Sequence, residues 1–355
     1  MEPAAAPEVL IRRDGRAGRI TLNRPKALNA LTLGMVREIW PALLSWKDDP
    51  AIELVLLDGA GERGLCAGGD VRWLYDSHVN GSADARAFWS EEYRLNALIS
   101  RYPKPYVSFM DGIVMGGGIG LSAHGRHRIV TERSQLAMPE TSIGLIPDVG
   151  GTWLLSHAPG AVGAYLGLTG ERMRGAGTIF AGFADMFVPS ARLGELAAAL
   201  TTPGGGDVAA ILKSFAEPPP PSELAQRADT IAGTFAFETI EEIRTALASL
   251  NNEWSAKTLA ELAGKSPLSL KLTLAAIRNA RSLGALEDAL NVEYRLCTRL
   301  FEHGEFIEGV RALLVDKDRK PQWRPPTVEE STDVVLADWL GPLPDGEELG
   351  LKPPA

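Results

Sequence analysis

Through the first two hundred residues, short β-prone runs alternate with segments at helical spacing. That alternation restricts the fold more than any other feature. Strand–helix–strand passages return the chain in one direction, so they predict an α/β protein with a parallel or mixed sheet under helical cover. Residues 9–13 and 19–22 flank Asp14-Gly15-Arg16-Ala17-Gly18 and read as a hairpin. A helix is expected from about residue 32. Val36, Ile39, Trp40, Leu43 and Leu44 share one of its faces, and Pro41 should kink or loosen it. Residues 52–58, 106–110 and 128–131 read as strands, and 116–125 as a helix opening on glycine. Residues 161–168 and 191–200 look helical.

A composition break follows, with Pro203-Gly204-Gly205-Gly206 and then Pro218-Pro219-Pro220-Pro221. The expected organisation is a catalytic core over 1–200 and a linker over 201–222. A helical C-terminal region over 223–320 and a polar, proline-rich tail over 321–355 complete it. Within the third part, 240–250, 254–263, 269–281 and 285–301 read as helices. No repeat of fixed period stands out.

The 355 residues carry a net charge of −9, which argues against a nucleic-acid surface. There are two cysteines, Cys66 and Cys297, so a reducing compartment is expected rather than a disulfide scaffold. No apolar run is long enough to span a membrane. The N-terminal residues match neither a secretory signal nor a transit peptide. The expected location is the cytoplasm, and the Ala, Gly and Arg content fits a bacterial protein.

The chemistry concentrates in Pro139-Glu140-Thr141-Ser142-Ile143-Gly144-Leu145-Ile146-Pro147-Asp148-Val149-Gly150-Gly151, where two carboxylates stand eight residues apart with no Lys or Arg between them. Upstream lie Met115-Gly116-Gly117-Gly118-Ile119-Gly120 and Leu65-Cys66-Ala67-Gly68-Gly69-Asp70. Glycine lets a ligand approach main-chain N–H groups unobstructed, and helix starts leave such groups unpaired. Either loop alone is accounted for as a tight turn. Together with the acids, two bare amides suggest chemistry on a carbonyl. A dinucleotide site is disfavoured, because Gly116, Gly118 and Gly120 give G-x-G-x-G. Cys66 reads as a small packing residue, and His124 and His127 as structural or exposed, with no metal expected. No G-x-S-x-G elbow supports a serine triad.

Asn23-Arg24-Pro25-Lys26-Ala27-Leu28-Asn29-Ala30-Leu31, Cys66-Ala67-Gly68-Gly69-Asp70, Met115-Gly116-Gly117-Gly118 and Pro139-Glu140-Thr141 together resemble the crotonase (enoyl-CoA hydratase/isomerase) superfamily. Glu91-Glu92-Tyr93, Lys104-Pro105-Tyr106-Val107, the run 144–151, Ser266-Pro267-Leu268-Ser269-Leu270-Lys271 and Glu293-Tyr294-Arg295-Leu296 resemble its 3-hydroxyisobutyryl-CoA hydrolase subfamily. The resemblance covers about residues 8–325 in matching order. It implies a crotonase-like fold of stacked ββα units with a helical C-terminal region, and an acyl-CoA substrate whose CoA is no separate cofactor.

By carry-over, the Gly69 and Gly117 amides form an oxyanion hole. Glu140 and Asp148 are the catalytic acids, and Glu92, Gly68, Gly117, Glu140 and Asp148 contact substrate. Hydratases of the superfamily carry a second glutamate where this chain has Gly120, so hydration should be inefficient. Glu140 either attacks the thioester carbonyl or activates a water, while Asp148 binds the substrate hydroxyl or assists proton transfer. Read without the family, Glu92 is a solvated helix residue paired with Arg94 or Arg86. Arg24 and Lys26 could meet CoA phosphates. Relatives often form trimers, so a homo-oligomer is one expectation, while the longer C-terminal region here could cover or replace that interface. An enoyl-CoA isomerase using Glu140 alone, and a binding protein without turnover, are the alternative readings.

Overall fold

The computed structural model describes residues 6–82, 84–331 and 338–353. Strands β1 (Val9–Asp14) and β2 (Ala17–Leu22) form the expected hairpin. Three pairs of strands follow, each a long strand then a short one: β3 (Leu54–Gly59) with β4 (Gly64–Cys66), β5 (Tyr106–Met110) with β6 (Ile113–Met115), and β7 (His127–Val130) with β8 (Gln135–Ala137). Two-residue strands β9 (Met173–Arg174) and β10 (Met186–Phe187) close the set. The long strands join a six-stranded sheet in the order β1-β2-β3-β5-β7-β10. The short ones build a second sheet, β4-β6-β8-β9, in which β4, β6 and β8 run parallel. A helix or helical turn follows each pair, which gives three stacked ββα units.

The apolar runs read as strands are interior strands covered on both faces. In β3, Val55 and Leu57 face the main core, whereas Leu54 and Leu56 face a smaller core behind the sheet. Helix Leu33–Asp48 keeps Pro41 within it, on the exposed side, and buries Met35, Val36, Ile39 and Leu43. Thr32 caps its start by accepting from the Met35 N–H. Among the late helices, Ile240–Leu250, Glu253–Ala263, Pro267–Ala280 and Leu286–His303 match the expected positions closely. Their buried residues belong to the same main core as the small sheet.

Residues 201–222 hold more structure than a linker. Helix Val208–Phe215 lies inside that range and buries Val208 and Leu212 in the smaller core. Arg16, itself buried, donates to the carbonyls of Leu200 at 2.9 Å and Gly206 at 2.7 Å. Composition misleads here because glycine and proline shape the entry and exit of a helix that tertiary contacts hold. Residues 348–351 of the polar segment are likewise docked. Asn291 and Leu351 exchange hydrogen bonds of 2.9 and 3.0 Å, and Glu348 accepts from Arg295.

Leu212→Ala tests this packing. Truncating a buried leucine typically costs about 2–5 kcal/mol, whereas a residue in a loose linker would cost little. Denaturant unfolding should show a loss within that range, and a change below about 0.5 kcal/mol would contradict the docked arrangement.

Candidate active site

The C-terminal ends of β4, β6 and β8 lie side by side, and each leads into one part of the site. After β4 comes Gly69. Its isolated bridge to Leu31 uses the Gly68 carbonyl and the Asp70 N–H, so the Gly69 N–H takes no part in it. The next helix, Val71–Val79, is capped by the Asp70 carboxylate rather than opened by glycine. After β6 comes Gly117, first residue of helix Gly117–Ser122, where an N–H has no partner within the helix. Gly116 before it sits at φ 45° and ψ −120°, a conformation that side chains exclude. After β8, Pro139 leads into a single helical turn, Glu140–Ile143, with Glu140 at its start.

These elements enclose a cavity of about 380 Å³ lined by Gly68, Gly69, Gly116, Gly117, Glu92, Glu140 and Asp148. Val71, Leu74, Phe88, Trp89, Leu145 and Phe306 form much of its apolar wall. All three acids are buried, at 2% exposure for Glu92 and 6% each for Glu140 and Asp148. Space is tight. A Cβ on Gly117 would stand 2.6 Å from Glu92 Oε1 and 3.4 Å from the Gly69 nitrogen, and one on Gly116 would stand 3.0 Å from Glu140 Oε1. The two glycine turns and the acids therefore share one small volume. A hollow of about 450 Å³ near Arg172, Arg174, Lys257 and Lys265 includes neither glycine turn.

The model of the enoyl-CoA hydratase/isomerase family matches residues 17–340. This chain belongs to that family. The mitochondrial 3-hydroxyisobutyryl-CoA hydrolase of Xenopus laevis is 44% identical, over 91% of this chain and 86% of the relative. The human protein of the same name is 41% identical, over 94% and 88%. Among solved structures, an enoyl-CoA hydratase from Rhodobacter sphaeroides superposes with a TM-score of 0.91 at 46% identity, covering 97% of this chain and all of the other. A carnitinyl-CoA dehydratase from Mycobacterium thermoresistibile gives 0.91 at 45%, covering 96% and 98%.

In this family member Glu92 is no solvated residue. It lies on the buried stripe Phe88, Trp89, Glu92, Tyr93, Asn96 of helix Asp84–Ser100. The proposed arginine partners are engaged elsewhere: Arg86 with Glu302 and Glu347, and Arg94 with the Leu349 carbonyl. Among the described residues, Glu92 Oε1 and Glu140 Oε2 are buried without a hydrogen-bond partner. Asp148 Oδ2 accepts from the Tyr93 hydroxyl at 2.7 Å. Arg24 is held by Glu8 and Asp70, while Lys26 is exposed. Burial drives the Cys66 thiol up to about 12, which keeps it protonated. Among the described residues no group of three or more His, Cys, Asp or Glu side chains is placed to hold a metal ion, His124 and His127 included. The His124 Nε2–H donates to the Val149 carbonyl at 2.7 Å.

Two residues had been noted only within subfamily motifs. Tyr93 holds Asp148 as described. Glu293, from helix Leu286–His303, accepts from the Gly150 N–H at 2.6 Å, the Thr152 N–H at 2.9 Å and the Thr152 hydroxyl. The sequence did carry a signal for both, because each occupies the apolar stripe of an amphipathic helix where a polar side chain needs a reason.

Burial raises all three acids. Glu92 and Glu140 stand well above the ordinary carboxylate range, first through loss of water and then through the negative charge of Asp148. Burial lifts Asp148 to about 6, and the Tyr93 hydrogen bond moderates the rise. Each acid holds its proton more tightly folded than unfolded. Its stabilising contribution is therefore full below the unfolded value and is lost as pH rises through the folded one. For Asp148 the step from 3.8 to about 6 corresponds to ~3 kcal/mol. Asp148→Asn should consequently be more stable than the parent at pH 8, with the difference shrinking towards pH 4. Unfolding curves across that range check it, and a difference independent of pH would contradict it.

Proposed function

We propose that this protein is a thioester hydrolase acting on 3-hydroxyisobutyryl-CoA or a close β-hydroxyacyl-CoA. One observation carries the proposal: Glu92, Glu140 and Asp148 share a single apolar cavity with the turns of Gly69 and Gly117. The name of the vertebrate relatives supports it. In this reading the thioester oxygen lies on the Gly69 and Gly117 amides, which favour the oxyanion of the tetrahedral intermediate; one such donor is typically worth ~10²–10³ in rate. Glu140 in its ionised form attacks the carbonyl carbon or removes a proton from the attacking water. The C–S bond then breaks and the sulfur leaves as a thiol after taking a proton. Attack by water releases the hydroxy acid directly. Attack by Glu140 leaves a mixed anhydride, whose C–O bond a second step with water must cleave to free the hydroxy acid and restore Glu140. Glu92 and Asp148 hold the substrate hydroxyl and the exchanged proton. Like charges this close resist joint ionisation, so a protonated donor beside an ionised acceptor is the favoured state.

The solved relatives are named hydratase and dehydratase, which favours a second reading. Gly120 speaks against it. A Cβ there would lie 2.8 Å from Asn96 Nδ2 and 2.8 Å from Val149 Cβ, so Asn96 and Val149 fill the place where a second glutamate would begin. CoA enters as part of the substrate, and the scheme calls on no other cofactor and no metal. No helix of the described residues is long and apolar enough to cross a membrane. A cytoplasmic, bacterial location, a role in valine degradation and a homotrimer belong to the same proposal, with two free, buried cysteines consistent with a reducing compartment.

Thiol release from 3-hydroxyisobutyryl-CoA tests the reaction. Glu140→Gln should lower it by about 10²–10⁴-fold, the usual weight of an acid–base group, while calorimetry still detects binding of the ester. A variant at near-parental rate would overturn the role of Glu140. Loss of the double bond of an enoyl-CoA with the thioester intact would favour the hydratase reading instead. Single turnover in ¹⁸O-water separates the two forms of the step, since label enters the Glu140 side chain only if a mixed anhydride forms and is hydrolysed there.

A further inference from the structure

Asp148 stands on a turn that its own residues do not favour. Val149 has φ 52°, the left-handed region, which a β-branched residue rarely enters. Gly150 follows at φ 81° and opens helix Gly151–Ser156. A six-residue helix offers little local hold on such a turn. The hold comes from outside. Glu293 reaches in from helix Leu286–His303 and receives three hydrogen bonds, from Gly150 and from both donors of Thr152, while His124 donates to the Val149 carbonyl. Glu293 is wholly buried, at 0% exposure. Burial pushes Glu293 up to about 8, while the hydrogen bonds from Thr152 and Gly150 oppose that rise and favour the ionised form. A carboxylate so placed on the apolar stripe of a helix is therefore costly unless it performs a definite task.

We infer that Glu293 is a positioning residue for Asp148: its carboxylate fixes the turn Asp148–Thr152 in the strained conformation that brings the Asp148 side chain into the cavity. Both oxygens take part, Oε2 on Gly150 and Oε1 on Thr152. An amide in its place presents N–H₂ on one side. In Glu293→Gln the amide oxygen can keep the two Thr152 donors, but the N–H₂ then opposes the Gly150 N–H. The turn would relax towards ordinary dihedral angles and carry Asp148 off its position. The C-terminal helices are thereby part of the catalytic arrangement and not only its cover. This inference rests on the reading of Asp148 as a working acid in thioester hydrolysis.

The test is a double-mutant cycle on thiol release, with Glu293→Gln, Asp148→Asn and the combination. Misplacing a catalytic group by about 1 Å can cost ~10²-fold, so Glu293→Gln should lower kcat by about 10- to 100-fold. Binding of an unreactive CoA thioether should stay within about threefold. In the Asp148→Asn background, Glu293→Gln should lower kcat further by less than about threefold, since the group it positions is already gone. Full multiplication of the two losses would overturn the inference. Near-parental activity of Asp148→Asn itself would instead overturn the reading of Asp148, so the two failures are distinct. Leu300→Ala, buried on the same helix two turns on, controls for destabilisation: it should lower Tm while kcat of the folded protein is kept. Should Glu293→Gln not fold, Thr152→Val removes only the hydroxyl contact. It should lower kcat by about three- to tenfold, again only when Asp148 is present; an equal loss in both backgrounds would overturn the inference.

Discussion

Three carboxylates share one water-poor cavity, and the rest of the molecule is arranged around that expense. A lone ionised carboxylate removed from water is strongly disfavoured, and neighbours of like charge deepen the penalty. The acids cannot relieve it by turning away, because each comes from a different element. Glu92 is fixed on a long helix, Glu140 starts a tight turn after β8, and Asp148 sits on a strained loop. Proton uptake is the remaining route, which is why their affinities for protons rise. The outcome is a cluster of acids able to donate and accept protons closer to neutral pH than ordinary carboxylates do. Its cost in stability is met by a core extending from the small sheet into the C-terminal helices.

The small sheet explains how such a site arises from a repeated unit. A long strand, a short strand and a helical segment recur three times, and the short strands β4, β6 and β8 pair in parallel. Their C-terminal ends fall in one row, the usual place for ligands in parallel sheets. Two ends deliver glycine amides and the third delivers Glu140. Relatives named hydratase, dehydratase and hydrolase superpose or align along nearly all of this chain. The scaffold therefore does not select the reaction; the side chains at a few positions do. At Gly120, Asn96 and Val149 occupy the space that a longer residue would need.

Much of this was legible before any coordinates. Strand β5 and the late helices were readable because apolar residues on two faces, or at helical spacing, leave a strong local pattern. The glycine loops and the acids at 140 and 148 were legible from spacing and resemblance. The three-residue strands were not, because their pairing depends on neighbours far along the chain rather than on local propensity. Glu92 was ambiguous for a related reason: the run Glu91-Glu92 looks solvated, yet Glu91 pairs with Arg37 outside while Glu92 points inward. About 100° of helix phase separates the two, and only the Phe88–Trp89–Asn96 stripe reveals it. The segment 201–222 hid a helix because its anchor, Arg16, lies almost two hundred residues away.

The C-terminal region supports Glu140 as closely as it supports Asp148, through main-chain contact and the nearby Lys265 ammonium. The Ser266 N–H donates to the Thr141 carbonyl at 3.1 Å, and the Lys265 ammonium donates to the Ser142 hydroxyl at 2.7 Å. Gly144 and Gly309 let helix Glu305–Val310 lie directly against the turn, with no room for a Cβ on either. Both acid-bearing turns are thus held between the sheet ends on one side and late helices on the other. A catalytic loop bounded on one side alone could shed its strain by moving outward. Enclosed on both, it cannot, and the strained backbone at Val149 and the crowded acids persist because every path of relaxation would open the core.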